Sequence, residues 1–172
     1  MSSPKEHVQD VVIQAAVFTV STTRTTSDDE SGKMILSSLA KADAPVVQYQ
    51  IVPDEREAIR NALEGALSSS NCIIFTGGTG LTPDDVTIEA VCPYFDKTVE
   101  GFGELFRHLS YEEIGTRSLL SRAVAGTIRN RVIFCIPGSL PAVILAMEKL
   151  IIPELKHILT HIGAQRKKQN KK

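Results

Sequence analysis

The residues of this chain best suited to chemistry stand together in Thr76-Gly77-Gly78-Thr79-Gly80-Leu81-Thr82-Pro83-Asp84-Asp85-Val86-Thr87, directly behind the apolar run Cys72-Ile73-Ile74-Phe75. Glycines at 77, 78 and 80 let the main chain turn sharply and approach a ligand with no side chain between. Thr82, Pro83 and Asp85 have the spacing of a helix start: threonine as N-cap, proline first in the helix, aspartate closing a capping box. A helix N-terminus there would gather N–H groups and the positive end of a dipole, which favours a phosphate. Two familiar nucleotide signatures are excluded. Leu81-Thr82-Pro83 stands where a Walker loop needs Gly-Lys and a hydroxyl, and Pro83 stands where a dinucleotide loop needs its third glycine.

The design recurs. Pro137-Gly138-Ser139 follows the apolar run 132–136 and precedes a long helical pattern, a second candidate anion pocket in which Ser139 is equally suited to cap the helix. Ser21, Thr22 and Thr23 end the first apolar run, and Asp54 follows Ile51-Val52-Pro53. In an open α/β sheet all these turns fall on the carboxyl edge of the strands, where ligands collect. Two carboxylates repel a bare polyphosphate, but magnesium, which takes carboxylate and phosphate oxygens together, reverses that sign. Asp54 with Glu57 and Thr82 with Asp85 also have capping-box spacing, so from the residues alone capping and catalysis both stand open. His157 and His161 share a helix face at a spacing that can grip zinc, but Ile158 occupies the place of a metalloprotease glutamate. No Ser-His-Asp or Cys-His arrangement can be assembled.

The elements that must position these groups alternate. Residues 11–20, 46–52, 72–75 and 132–136 are short β-branched runs, as in strands buried on both faces of a parallel sheet. Between them, Ile35, Leu36, Leu39 and then Ile59, Ala62, Leu63, Ala66 recur at helical spacing. A last stripe from Leu140 to Ile162 should cover a sheet face, with Pro153 bending or dividing it. Ala125 to Arg131 reads as a hairpin ahead of the fourth run. The expected fold is therefore α/β, a three-layer α/β/α sandwich around a mostly parallel sheet. A chain of 172 residues fits a single domain, assigned here to 10–163, with polar 1–9 and basic 164–172 as disordered tails.

Bulk properties restrict the function. With 19 basic and 20 acidic residues, no global field draws the chain to nucleic acid or to an anionic membrane, and charged ligands must be held locally. Cys72, Cys92 and Cys135 are odd in number and far apart, which points to reduced thiols and a cytoplasmic setting. No apolar run approaches the length of a membrane span.

Val20-Ser21, Asp29-Glu30-Ser31-Gly32, Ile51-Val52-Pro53-Asp54, the glycine loop through Asp85-Val86-Thr87, Gly101-Phe102-Gly103-Glu104, Leu120-Ser121-Arg122-Ala123 and Pro137-Gly138-Ser139 occur in a telling order. In that order and over nearly the whole chain, the sequence resembles the MoaB/MogA family of molybdenum cofactor biosynthesis proteins. The resemblance implies adenylyl transfer from ATP to molybdopterin with magnesium, giving adenylyl-molybdopterin and pyrophosphate. It also implies homo-trimers or homo-hexamers and handover of product to a metal insertion protein. The family's essential aspartates match Asp54 and Asp85, to which catalytic and metal roles are carried over. Gly77, Gly78, Thr79 and Gly80 match its pocket loop, Ser110, Pro137, Gly138 and Ser139 its pterin or phosphate positions, and Ser21 is assigned to the nucleotide or pterin edge. The same family includes pterin-binding members without turnover as the alternative role. One departure is Asp84, where many relatives carry a basic residue.

Overall fold

The computed structural model describes residues 11–169, with side chains to residue 163; the expected tail 1–9 and the side chains of 164–172 lie outside the described residues. Six strands form one sheet: β1 (Ala15–Val20), β2 (Val46–Val52), β3 (Cys72–Thr76), β4 (Lys97–Thr98), β5 (Val124–Ile128) and β6 (Arg131–Ile136), in the order β2-β1-β3-β6-β5-β4. β2, β1, β3 and β6 run parallel, while β5 and β4 add antiparallel pairs at one side. The mostly parallel sheet and the hairpin between β5 and β6 agree with the sequence pattern.

Two differences from that pattern have simple causes. β1 begins at Ala15 rather than at residue 11, since Val12 has no strand beside it and is 75% exposed. β2 is an edge strand, so its face is only partly covered and Val47 stands out to solvent, whereas β1, β3 and most of β6 are buried along their length.

Helices α1 (Glu30–Lys41), α2 (Arg56–Ala66), α3 (Thr87–Val91), α4 (Glu100–Ile114), α5 (Leu140–Leu145) and α6 (Ile152–Gln169) complete the fold. Alternation along each strand sends side chains to two separate cores. Ala15, Val17, Cys72, Ile74, Val132 and Phe134 meet α1, α4, α5 and α6 on one face. Ala16, Phe18, Ile73, Phe75, Ile133 and Cys135 meet α2 and α3 on the other, with Phe18 and Phe75 stacked at 4.9 Å between ring centroids. Full burial of each of these large side chains stabilises the fold by about 1.5–3 kcal/mol.

The last helical stripe is divided, as Pro153 suggests, by a wide π-turn at Ala146–Ile151. Pro153 lacks an N–H and its ring would collide with the carbonyl four residues back, and the widened turn absorbs both faults while apolar residues stay on the sheet. α6 carries its backbone to Gln169, through residues 164–169 of the segment read as a tail. All three cysteines are free; burial pushes the Cys72 thiol up to about 12 and the Cys135 thiol well above its ordinary value. Such thiols stay protonated and act as small apolar side chains. Among the described residues no helix is long and apolar enough to cross a membrane.

Candidate functional site

Because β1, β2, β3 and β6 are parallel, the turns that leave them lie on one edge. There a cavity of about 470 Å³ opens, lined by Ser21, Thr23 and Arg24 after β1, by Gly77, Gly78, Thr79, Gly80 and Asp85 after β3, and by Pro137 and Gly138 after β6. Leu120, Ser121 and Arg122, which lead into β5, close it.

The glycine loop forms the floor. Gly77 and Gly78 have φ of 97° and 62°, two successive left-handed residues that only glycine adopts without strain. The Gly77 carbonyl accepts from the Thr87 hydroxyl at 2.8 Å and the Gly78 carbonyl from the Thr87 N–H at 2.9 Å. Across trans peptides the N–H groups of Gly78 and Thr79 therefore point away from α3, an arrangement of the kind that binds anions. A Cβ on Gly138 would sit 3.0 Å from the Gly77 Cα, so main chain meets main chain where the two turns cross. A Cβ on Gly77 would sit 2.4 Å from the Val20 carbonyl oxygen. Gly77→Ala is accordingly expected to lose about 1–3 kcal/mol from backbone strain alone, read as a lower urea midpoint. Gly65→Ala on α2, whose new methyl meets nothing within 4 Å, should lose none.

The helix expected at Thr82 does not form there. Residues 82–85 make a turn, with the Asp85 N–H donating to the Thr82 carbonyl at 3.0 Å, and helix begins only at Thr87 and lasts five residues. Asp85 closes this turn: its Oδ2 accepts from the Thr82 hydroxyl at 2.6 Å and the Thr82 N–H at 2.9 Å. Chiefly through the Thr82 hydroxyl, which outweighs the opposing effect of burial, its carboxyl lies below the usual range; the Thr82 and Gly80 N–H groups and the Arg122 charge add to this. The feature suited to an anion is thus the glycine backbone and not a helix dipole.

Asp54 does not cap α2 either, since Glu55 holds the N-cap position. Its Oδ2 accepts from the Thr22 N–H at 2.8 Å and the Thr22 hydroxyl at 2.9 Å, tying the turn after β2 to the turn after β1. Asp54 and Asp85 abut the same loop: a Cβ on Gly78 would lie 3.2 Å from Asp54 Oδ1, and one on Gly80 would lie 2.6 Å from Asp85 Oδ2. Asp85 lines the cavity and Asp54 does not. Ser110, on the buried face of α4, and Ser139, exposed at the N-cap of α5, also lie outside its lining.

Sequence reasoning gave no role to the two cations of the site. Arg24 reaches the Gly138 carbonyl at 3.4 Å and Asp29 Oδ1 at 3.6 Å. Arg122 donates to Glu89 Oε1 on α3 at 2.5 Å; burial raises the Glu89 carboxyl, but the bond from Arg122, a backbone N–H and the charges of Arg122 and Arg56 together hold it below its ordinary range. Both guanidinium groups line the cavity, each beside an ionised carboxylate. Behind Arg24, the buried Asp29 accepts from the Thr19 hydroxyl at 2.6 Å, the Tyr49 hydroxyl at 2.6 Å and the Gly32 N–H at 2.9 Å, joining β1, β2 and α1. Ser31, on α1, secures the same turn that Arg24 reaches, its hydroxyl donating to the Gly138 carbonyl at 2.8 Å. Among the described residues no three His, Cys, Asp or Glu side chains gather into a metal cage. Magnesium does not need one, since it is commonly held by one or two carboxylates with water and substrate phosphate, and ionised Asp85 suits that donor set.

The chain is similar to known proteins over most of its length. Residues 16–157 match the family model described as "Probable molybdopterin binding domain". Molybdenum cofactor biosynthesis protein B of Bacillus subtilis (strain 168) is 46% identical over 165 residues, 93% of this chain and 97% of the relative. The protein of the same name from Staphylococcus aureus (strain COL) is 53% identical over 151 residues, 86% and 90% of the two chains. A crystal structure of a molybdenum cofactor biosynthesis protein B superposes with a TM-score of 0.86 at 43% identity, covering 95% of this chain and 99% of the other. The tungsten cofactor synthesizing protein MoaB from Pyrococcus furiosus does so with a TM-score of 0.81 at 41% identity, covering 88% and 97%. The chain belongs to the MoaB/MogA family of molybdenum cofactor biosynthesis proteins.

Proposed function

We propose that the chain is a molybdopterin adenylyltransferase, a nucleotidyltransferase that joins molybdopterin to the AMP part of ATP. The observation that carries this reading is the convergence of the glycine backbone, Asp85, Arg24 and Arg122 on one cavity at the strand ends. In the reaction an oxygen of the pterin's terminal phosphate bonds to the α-phosphorus of ATP, the bond from that phosphorus to the bridging oxygen breaks, and pyrophosphate leaves. The nucleophile is already an anion, so the protein's task is to position two repelling partners and neutralise charge. Backbone N–H groups of Gly78 and Thr79 and the turn at Pro137 and Gly138 bind phosphate oxygens; Ser21 lines the edge of the pocket. Arg24, after β1, and Arg122, before β5, offset charge. Asp85, with Asp54 behind the loop, would hold magnesium, which would supply charge neutralisation for the phosphates.

Copies of the chain assemble as a homo-trimer or homo-hexamer in this proposal. Exposed Tyr111, Ile114, Leu119 and Leu120, the last at the cavity wall, offer an apolar surface for that contact. The product passes to a metal insertion protein for molybdate or tungstate. Mixing purified protein, ATP, magnesium and molybdopterin should yield adenylylated pterin by mass and pyrophosphate in equal amount, both abolished by chelating magnesium. Pterin bound without pyrophosphate release would instead identify a carrier.

A further inference from the structure

We propose that His157 and His161 form a binding site for a divalent first-row transition metal ion, zinc or nickel, on α6 and far in character from the phosphate cavity. The two residues stand one helical turn apart, with ring centroids 4.6 Å apart and Nε2 atoms 2.8 Å apart. Two lone pairs do not meet at that distance, so a proton lies between them. Glu154 Oε2 is 3.1 Å from His157 Nδ1, so with both rings neutral His157 carries its hydrogen on Nδ1 and its Nε2 accepts the His161 Nε2–H.

A metal takes the place of that proton. When the His161 hydrogen moves to Nδ1, both Nε2 lone pairs face one point, with no change in the charge of either ring. Bonds of about 2.0–2.1 Å at a tetrahedral angle set the nitrogens about 3.3 Å apart, and the exposed His161 ring can swing out by that margin. Glu154 then becomes the carboxylate that orients a ligating imidazole and raises its basicity. All three side chains border a second cavity, of about 460 Å³, whose other walls include Phe102, Leu105, Phe134 and Ile162. This apolar wall lies beside both rings, while water completes the coordination on the exposed side. Imidazole nitrogen selects zinc or nickel over magnesium, so the site does not compete for the cation assigned to Asp85.

The test is calorimetric titration of tag-free, full-length protein with Zn²⁺ and Ni²⁺, alongside ¹⁵N spectra of the imidazoles. One ion per chain should bind, with the Nε2 resonances of His157 and His161 moving together. His161→Ala should abolish binding, Glu154→Gln should weaken it by about 10-fold or more, and His7→Ala and His108→Ala should leave it unchanged. Absence of stoichiometric binding to the wild type overturns the proposal, as does undiminished binding to the double variant His157→Ala, His161→Ala. His161 is exposed, so failure to fold is not a competing explanation.

Discussion

Replacing Asp85 by asparagine is expected to lower pyrophosphate release by at least about 100-fold, the scale seen when one transition-state contact is removed, while pterin still binds. The asparagine oxygen can go on accepting from Thr82, so the turn at 82–85 keeps its shape and the urea midpoint should move little. What disappears is the negative charge that the Thr82 hydroxyl and its neighbours hold ionised well into mildly acid solution. Measuring turnover and pterin affinity on the same preparation separates this from a general collapse. Unchanged release by the variant would sink the adenylylation reading, whereas loss of both pterin binding and release would place Asp85 in substrate binding alone.

The largest stability effect should come from a residue that touches no substrate. Asp29→Ala is expected to cost about 3–5 kcal/mol, as when one member of a buried charged network is deleted. It strands the hydroxyls of Thr19 and Tyr49, the Gly32 N–H and the partner charge on Arg24. Urea midpoints taken across pH should show the same network from both sides. Burial raises the Asp29 carboxyl, but Thr19, Tyr49, Gly32 and Arg24 overcome this and leave it below its ordinary 3.8. Its contribution is therefore present above that pH and fades as pH falls through the lower folded value. Tyr49 is raised from 10.0 to about 12 by burial and by its bond to Asp29. Its contribution is intact below pH 10 and is lost between there and about 12. Tyr49→Phe should flatten the alkaline limb and leave an acid limb; an unaltered alkaline limb would contradict the assignment.

Most of the scaffold could be read from residue order, because β-branched runs such as 46–52 and 132–136 have few alternatives to a strand and the stripes on α1 and α2 have the helical period. The site was legible where it consists of main chain: glycines 77, 78 and 80 advertise their own backbone. Thr82 and Asp85 misled because the same three-residue spacing closes a turn as readily as it caps a helix. What decides between them is the pair of bonds from Thr87 to Gly77 and Gly78, which no local pattern contains. Arg24 and Arg122 were silent for a related reason. Each is an ordinary surface cation until folding sets Asp29 and Gly138 beside one and Glu89 beside the other.

The crossing of Gly77 and Gly138 has an evolutionary consequence. A pocket bottom built from peptide groups is blind to most substitutions around it, so its dipoles stay aimed while residues at the lip such as Thr23 and Ser121 are free to drift. Descendants of such a chain can retune which anionic molecule they admit by exchanging lip residues alone, without redesigning the bed on which the negative charge rests.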